Sequence, residues 1–381
     1  MIANKIPFNV PFLTGEEIKF ISEAHNLGQL SGDGYFTSEC SKILEEATGA
    51  PRVLLTHSCT AALEMAALLL ELKPDDEVIM PSYTFVSTAN AFVLRGATPV
   101  FVDIRLDTGN IDENLIEAAI STKTKAICVV HYAGISCEMG SIEKLASKYN
   151  IRLVEDAAQA IHSSYEGRPL GTIGDFGCYS FHETKNIISG EGGALIINDR
   201  RYIDRSEIVR EKGTNRKKFT RREVAKYSWV DIGSSYLPGE IISAFLYPQL
   251  LHGHSITERR LRIWKMYHEA LEPFEKIGRI RRPKIPGNCQ HNGHMYYILL
   301  QNQEDRDHFI RYMAEQGISC THHYVPLHSS KFGSVHSKKV GSLSNTEKFS
   351  ETIVRLPIWI GLEVNFERII NSVQEYLTKN P

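Results

Sequence analysis

The fold is decided by two stretches, Arg152–Gln159 with the sequence RLVEDAAQ and Gly177–Asn186 with the sequence GCYSFHETKN. Each begins as a short β-rich run, over 152–155 and 177–181, and ends in polar side chains. Similar runs lie around them at Val53–Leu55, Glu77–Met80, Pro99–Asp103, Ala126–His131 and Ala194–Asn198. Helical patterns at 60–72, 112–120 and 141–149 separate several of these runs. Strands that alternate with helices predict a mainly parallel sheet with both faces covered.

Two features modify this prediction. The runs at 177–181 and 194–198 follow each other without a long helix, which indicates that part of the sheet is not a simple βαβ unit. Beyond residue 250 the pattern changes to a helix over 255–271 ended by Pro273, a strand over 294–300, a helix over 304–316, a strand over 319–324 and a helix over 369–377. We therefore expect a large α/β domain over 1–250, with an N-terminal arm, and a smaller α+β domain over 251–381.

Composition excludes several classes of protein. Of 381 residues, 43 are Lys or Arg and 45 are Asp or Glu, which gives a formal net charge of −2. Such a balance argues against a protein that mainly binds nucleic acid. The sequence has no signal-peptide pattern and no apolar run long enough to span a bilayer. Its 7 scattered cysteines lack metal-site spacing and favour reduced thiols, so we expect a cytoplasmic protein without a metal.

The segment Thr56–Ala61 follows a strand and opens a helix. Free backbone N–H groups and the helix dipole attract an anion at such a point, and Ser58 and Thr60 add hydroxyl groups. The alternative is that these hydroxyls only cap the helix.

Asp156 and Lys185 are the candidate reactive residues. Asp156 ends an apolar strand, where a carboxylate is costly to bury unless a positive group faces it. Lys185 precedes a glycine-rich turn, where a deprotonated amine can form an imine with an aldehyde. The alternatives are a helix-capping Asp and a solvated surface Lys.

The order of these features favours pyridoxal 5'-phosphate (PLP). This cofactor requires a phosphate anchor, a carboxylate for its ring nitrogen and an imine-forming lysine. It also needs an aromatic neighbour, for which Phe85 is the candidate, although Phe85 could equally be a core residue.

Several motifs of the chain occur together in one enzyme family. They are SCTAAL at 58–63, PSYTF at 81–85, EDAAQ at 155–159, SFHETKN at 180–186, EGG at 191–193 and HYVPLH at 323–328. The chain resembles the DegT/DnrJ/EryC1/StrS family of PLP-dependent sugar aminotransferases over almost its whole length. The resemblance implies the fold type I aminotransferase architecture, with PLP as cofactor and pyridoxamine 5'-phosphate as its amino form.

The resemblance also implies the site residues. Lys185 carries the cofactor aldehyde, Asp156 pairs with the ring nitrogen, Gln159 lies against the ring and Phe85 stacks on it. The phosphate is held by Ser58, Cys59, Thr60 and Ser180.

A homodimer with shared active sites is implied as well. Many family members place Asn and Arg in the stretch that matches 233–237, where they reach the neighbouring subunit's phosphate. Here Ser235 and Leu237 stand in their places, so Ser235 is kept as a candidate donor and Leu237 is not.

Within the family, the tracts 78–96, 211–216 and 231–237 are most similar to enzymes that make dTDP-4-amino-4,6-dideoxygalactose for enterobacterial common antigen. This implies L-glutamate as donor and dTDP-4-keto-6-deoxyglucose as acceptor. Lys212 and Arg216 are the candidate contacts of the diphosphate, and His323 and Tyr324 of the substrate cleft. A solvated charged loop is the alternative for the neighbouring cations Lys217, Lys218, Arg221 and Arg222, and a structural histidine is the alternative for His323.

Other functions stay open. The product could have the gluco configuration, or the substrate could be another nucleotide keto-sugar. A sugar dehydratase of the same fold would carry His in place of Lys185. A degenerate sugar-nucleotide-binding regulator would be expected to have lost Lys185 or Asp156, and both are present.

Overall fold

The computed structural model describes residues 5–380. Its strands are β1 Arg52–Thr56, β2 Glu77–Pro81, β3 Thr98–Val102, β4 Thr124–Val130, β5 Arg152–Asp156, β6 Ser164–Tyr165, β7 Arg168–Pro169, β8 Phe176–Ser180, β9 Gly193–Ile197, β10 Cys289–Gln290, β11 Tyr296–Leu299, β12 Lys338–Lys339 and β13 Ile353–Leu356. Its α-helices are α1 Glu17–Leu27, α2 Tyr35–Thr48, α3 Cys59–Leu69, α4 Val86–Val93, α5 Glu113–Ile116, α6 Met139–Tyr149, α7 Ile203–Arg210, α8 Arg216–Thr220, α9 Glu240–Leu251, α10 Gly253–Lys276, α11 Gln303–Glu315, α12 Gly333–His336, α13 Ser344–Thr352 and α14 Phe366–Lys379. Short 3-10 helices cover Glu117–Ala119, Tyr132–Gly134, Arg200–Tyr202, Leu327–Ser329 and Leu362–Asn365.

An eight-stranded sheet has the order β1-β9-β8-β5-β4-β2-β3-β12. β9 runs antiparallel to both of its neighbours, and the other strands run parallel to one another. The strands predicted between residues 53 and 198 are confirmed, as is the departure from a simple βαβ pattern at β8 and β9. The carboxyl ends of the parallel strands therefore meet at one edge of the sheet.

The central strands are buried on both faces. In β4, Ile127 and Val129 pack into the core on one face, whereas Ala126 and Cys128 pack into the core on the other. Parallel strands with both faces covered are apolar along their length, so their polar chemistry is confined to their ends.

The C-terminal part has its own core and confirms the predicted smaller α+β unit. β11 and β13 pair antiparallel. They pack against α10, α11 and α14 through apolar side chains, among them Tyr296, Val354, Tyr267, Phe309 and Ile369.

Two predictions for this part are wrong. Residues 319–324 do not form a strand, because only an isolated bridge joins Thr321 to Arg355. The long helix does not end before Pro273 but continues to Lys276. Proline costs a helix one hydrogen bond, and packing of Leu271 and Phe274 into the C-terminal core keeps this turn helical.

The division at residue 250 stays a prediction, since segments pack across it in both directions. Ile6, in the N-terminal arm, pairs with Ile318 and belongs to the C-terminal core. β12, from the C-terminal part, pairs with β3 at the edge of the large sheet.

Within residues 5–380, no helix combines the length and apolar character needed to cross a bilayer. Every cysteine lies in this part of the chain, and none forms a disulfide there. The same residues contain no group of three or more His, Cys, Asp or Glu side chains placed to hold a metal ion.

Candidate active site

A cavity of about 470 Å³ lies at the carboxyl edge of the sheet, between the sheet and the C-terminal part. Open α/β sheets bind ligands at this edge. The structure brings together here most of the residues predicted for the site, namely Ser58, Cys59, Thr60, Phe85, Asp156, Gln159, Ser180, Lys185, His323 and Tyr324. Lys212, Arg216 and Ser235 do not line it.

The start of α3 faces the cavity with hydroxyl groups and backbone donors. Ser58 Oγ accepts a hydrogen bond from the Ala61 N–H at 3.1 Å, so Ser58 caps the helix. Thr60 Oγ1 donates to Ser87 Oγ at 2.8 Å. Because a hydroxyl both accepts and donates, capping does not exclude a contact with an anion. Ser180, at the end of β8, adds a further hydroxyl to this end of the cavity.

Gly193 keeps β9 close to this helix start. A Cβ at that position would lie 2.4 Å from the Cys59 nitrogen and 2.4 Å from the Ser58 carbonyl carbon. Any larger residue would push the strand and the helix apart, which explains the last glycine of the EGG motif.

Asp156 ends β5, and its side chain is almost fully buried. Thr88 Oγ1 donates to Oδ2 at 2.6 Å, and the Ala158 N–H donates to Oδ1 at 3.2 Å. Burial raises the pKa of Asp156, and these two hydrogen bonds oppose that rise. No Lys, Arg or His among residues 5–380 forms an ion pair with the carboxylate. Asp156 is therefore a buried acid that lacks a cationic partner from the described chain.

Lys185 lies in the loop between β8 and β9. The loop is folded back on itself, because the Phe181 N–H donates to Gly192 O at 2.8 Å and the Ser189 N–H to Phe181 O at 2.7 Å. Burial lowers the pKa of Lys185, which favours the neutral, nucleophilic amine. Within residues 5–380, Lys185 Nζ has no hydrogen-bond partner. It is thus not the solvated surface lysine of the alternative interpretation.

Gln159, Tyr324 and Phe85 form a side of the cavity. Gln159 Nε2 donates to the Tyr324 hydroxyl at 3.1 Å, and its Oε1 accepts from the Ala133 N–H at 2.7 Å. The Phe85 ring lies 6.2 Å from the Tyr324 ring. Phe85 is 56% exposed, so it is not a core residue and offers an open ring face beside the polar wall.

His323 is bonded on both ring nitrogens. Its Nε2 lies 2.7 Å from the Tyr132 hydroxyl, and its Nδ1 lies 3.0 Å from Arg355 Nη1. Burial, and then the positive charge of Arg355, hold the pKa of His323 well below its usual range. These contacts fit the structural alternative, and contact of His323 with substrate stays a prediction.

Arg260, His294 and Arg355 also line the cavity and were not predicted. Arg260 lies on α10, where helical periodicity does not show which polar side chain is buried. Arg355 lies in β13 between the buried Val354 and Leu356. A charged residue inside this apolar run is the signal that could have revealed it.

Lys212, Arg216 and Ser235 cluster at Glu211, outside this cavity. Lys212 Nζ lies 3.7 Å and Arg216 Nη1 2.8 Å from Glu211 Oε1. Ser235 forms an isolated backbone bridge with Glu211. Their roles toward a nucleotide sugar or a neighbouring subunit's phosphate therefore stay predictions.

The cavity fits PLP by the chemistry of its donors. Asp156 offers a buried carboxylate to a protonated ring nitrogen, and Lys185 offers an amine to an aldehyde. The start of α3, with Ser58 and Thr60, offers N–H and hydroxyl groups to a phosphate.

The match to known proteins agrees with this geometry. The DegT/DnrJ/EryC1/StrS aminotransferase family matches residues 11–374. The chain belongs to this family. An uncharacterized protein of Methanocaldococcus jannaschii is 33% identical to this aminotransferase over 352 residues, which are 90% of each protein. The spore coat polysaccharide biosynthesis protein SpsC of Bacillus subtilis is 29% identical over 385 residues, covering 97% of this chain and 96% of SpsC.

The solved structures of Spr1654 from Streptococcus pneumoniae include a PLP form and a PMP form. Each is 28% identical, covers 98% of this chain and 99% of its own, and superposes with a TM-score of 0.90. This aminotransferase is therefore PLP-dependent and has the fold type I architecture predicted from its motifs, in a family of sugar aminotransferases.

Proposed function

We propose that this aminotransferase moves the amino group of L-glutamate to C4 of dTDP-4-keto-6-deoxyglucose. The products are 2-oxoglutarate and dTDP-4-amino-4,6-dideoxygalactose, for enterobacterial common antigen or another surface polysaccharide. The observation that carries the proposal is the meeting of Lys185 and Asp156 in one cavity, where Asp156 is buried, Lys185 is partly buried, and neither has an ionic partner among residues 5–380. The sequence tracts quoted above and the polysaccharide role in the name of SpsC support the sugar substrate.

When bound, PLP supplies an electron sink that stabilises a carbanion next to the amino group. Lys185 takes the proton from the donor Cα and returns a proton at the sugar C4, acting first as base and then as acid. Its lowered pKa favours the neutral amine that accepts the first proton.

Asp156 holds the proton of the ring nitrogen by staying ionised. The hydrogen bonds from Thr88 and Ala158 favour the carboxylate over the carboxylic acid. A cationic ring nitrogen opposite Asp156 would favour the carboxylate further.

A homodimer in the cytoplasm is part of the proposal. In it, Lys212 and Arg216 contact the diphosphate of the substrate, and Ser235 reaches the phosphate in the neighbouring subunit's cavity. Exposed apolar side chains near Ser235 support a partner surface, since Trp229 is 81% exposed and Val230 is 51% exposed.

The proposal is tested by incubating the protein with PLP, L-glutamate and dTDP-4-keto-6-deoxyglucose and analysing the product by NMR. We expect an axial amine at C4, equimolar 2-oxoglutarate, and no product with Lys185→Ala. An equatorial amine would establish the gluco product instead. Amination of a different nucleotide sugar, with none of this one, would overturn the substrate assignment.

A further inference from the structure

His294 is a cavity residue that the proposed reaction does not yet use. It lies just before β11, is only 5% exposed and lines the cavity. Its Nδ1 lies 3.0 Å from Asn186 Oδ1. In the part of the chain from 5 to 380, no hydrogen bond reaches its Nε2, although this atom is not sealed in the core. One ring nitrogen is thus occupied, and the other is open toward the cavity.

The neighbours of His294 decide which ring nitrogen carries the proton. Asn186 Nδ2 lies 2.9 Å from Asn292 O, a carbonyl that can only accept, so this nitrogen donates and Asn186 Oδ1 faces His294. Because Oδ1 can only accept, His294 Nδ1 carries a hydrogen and donates it. A neutral imidazole protonated at Nδ1 has a lone pair at Nε2.

His294 is neutral because of its surroundings. Burial, and then the positive charge of Lys185, hold the pKa of His294 well below its usual range. Arg260 and Arg355 line the same side of the cavity, and a protonated ring beside two guanidinium groups would be costly. His294 Nε2 is therefore a hydrogen-bond acceptor beside two arginines that can only donate.

The acceptor is held in place from several sides. The His294 N–H donates to Asn292 Oδ1 at 3.0 Å, and Arg260 Nη2 donates to His294 O at 2.7 Å. Asn292 in turn donates from Nδ2 to Gln159 O and Ile161 O, both at 2.8 Å. These bonds tie His294 to α10 and to the segment that follows β5. A ring fixed in this way loses little freedom when a ligand binds to it.

The chemistry of Nε2 restricts its ligand to an O–H or N–H group. Lys185 shares the cavity, but within residues 5–380 its Nζ has no hydrogen-bond partner, so it leaves His294 Nε2 unused. The amino-acid donor brings two carboxylates, which a lone pair repels, and an amine that has to reach the cofactor. A keto-sugar carries hydroxyl groups beside its ketone, and these groups can donate to Nε2.

We propose that His294 Nε2 accepts a hydrogen bond from the sugar hydroxyl next to the reacting ketone, which is the C3 hydroxyl of dTDP-4-keto-6-deoxyglucose. Asn186 directly follows Lys185 in the chain, so its bond to His294 places the acceptor beside the reactive amine, just as the hydroxyl lies beside the ketone. His294 then selects nucleotide sugars with a hydroxyl at C3 over 3-deoxy sugars, and Asn186 positions its ring. This inference rests on the proposed function, because it assigns a group of the proposed sugar to a residue.

The first test measures binding without turnover. Two sugars that lack a ketone, dTDP-6-deoxyglucose and its 3-deoxy analogue, are titrated by calorimetry into enzyme loaded with pyridoxamine phosphate. We expect the wild type to bind the hydroxylated sugar about tenfold more tightly. His294→Asn keeps a donor for Asn186 but loses the acceptor, so its preference should fall to within about twofold. His294→Gln keeps an acceptor near the position of Nε2 and should retain part of the preference.

The matched control is a histidine outside the cavity. His268 is half-buried and stacks on Trp264 at 4.5 Å between ring centres, and His268→Asn should keep the full preference for the hydroxylated sugar. A wild-type enzyme that binds both sugars equally would overturn the proposal. An unchanged preference in a folded His294→Asn protein would also overturn it.

The second test separates the sugar from Lys185. In His294→Asn, the single-turnover rate with glutamate should stay within about twofold of the wild type. For the keto-sugar with a C3 hydroxyl, kcat/KM should fall about tenfold, whereas for the 3-deoxy keto-sugar it should not change. Equal slowing of both half-reactions, with the hydroxyl preference intact, would assign His294 to Lys185 and overturn the proposal.

The role of Asn186 has its own readout, which is the ratio of the two sugar affinities. Asn186→Ala removes the acceptor of the Nδ1 proton and frees the ring, so the preference for the hydroxylated sugar should fall about threefold. A general loss of stability would weaken the binding of both sugars alike. An unchanged ratio would contradict positioning by Asn186.

The two proposals fail in different ways. If the wild type prefers the hydroxylated sugar in calorimetry but aminates no 4-keto-sugar, the proposed function fails and the hydroxyl contact stands. If it aminates 4-keto-sugars with and without the C3 hydroxyl equally well, the proposed function stands and the role of His294 fails.

Discussion

The two walls of the cavity are built in opposite ways. The sheet wall carries Ser58, Asp156 and Lys185 at or just beyond the ends of the parallel strands β1, β5 and β8, and its anion site consists of hydroxyl groups and backbone N–H groups. The opposite wall carries Arg260 and Arg355, which come from distant helices and strands and have no carboxylate partner among residues 5–380. In the proposed function, the sheet wall performs the proton chemistry, and the opposite wall adds positive charge to the cavity.

Removal of the sheet-wall amine should have the largest effect. Lys185→Ala should lower turnover at least about 10⁴-fold, because no other group can replace the base at that atom. Absorbance spectra should show that PLP still binds, since the phosphate end of its site is intact. Retained turnover would refute the role of Lys185.

Loss of the negative charge of Asp156, in the sheet wall, should have the second-largest effect on turnover. Asp156→Asn should slow both half-reactions by roughly 10²- to 10³-fold, the size of one lost electrostatic contact in an active site. Stopped-flow measurement of each half-reaction tests this, with the melting temperature as a control for folding. Near-normal rates would show that the ring nitrogen is protonated by another route.

Removal of a hydroxyl that supports Asp156 should have a smaller effect and tests how the sheet wall stabilises its carboxylate. Thr88→Val removes the hydroxyl that donates to Asp156 at 2.6 Å and should slow the reaction about tenfold, because a hydrogen bond to a charged group is lost. Thr84→Val is the matched control, since Thr84 Oγ1 contacts Thr88 Oγ1 at 2.7 Å but not the carboxylate. Equal effects of the two variants would mean that packing, rather than the hydrogen bond, matters.

The smallest expected effect is a loss of folding stability at acidic pH, to which one histidine near the sheet and one in the C-terminal part contribute. Burial lowers the pKa of His162, near the sheet, and of His291, in the C-terminal part, to about 4. An unfolded histidine has a pKa of about 6.5, so the unfolded state binds more protons and stability falls as the pH drops from about 6.5 toward 4. We expect a loss of roughly 1–2 kcal/mol per histidine at pH 5 relative to pH 7.

Urea unfolding at both pH values measures this loss. His162→Gln and His291→Gln should each reduce the pH dependence of stability, and the double variant should reduce it most. An unchanged dependence in the double variant would assign the acid sensitivity to other groups.

The sheet wall could be predicted from sequence because its residues lie in contiguous motifs at strand ends. Asp156 and Lys185 each follow a recognisable apolar run, and parallel strands bring those ends to one edge. The support of Asp156 by Thr88 could not be predicted, since a threonine in a helix usually packs or caps. The strand expected at 319–324 is wrong because the backbone pairing of this segment with β13 is limited to one isolated bridge, between Thr321 and Arg355, and does not extend into a ladder.

By itself, the sequence determined the alternation of strands and helices, the carboxyl edge where chemistry can occur, and the amine and carboxylate placed there. Those features follow from local patterns and from the rule that buried strands are polar only at their ends. Only the tertiary structure decided that Arg355 meets His323 and Phe8 across the cavity, while Lys212, Arg216 and Ser235 lie outside it. The physical reason is that the charge and reactivity of a side chain depend on its neighbours in space, and packing joins neighbours that no local pattern connects.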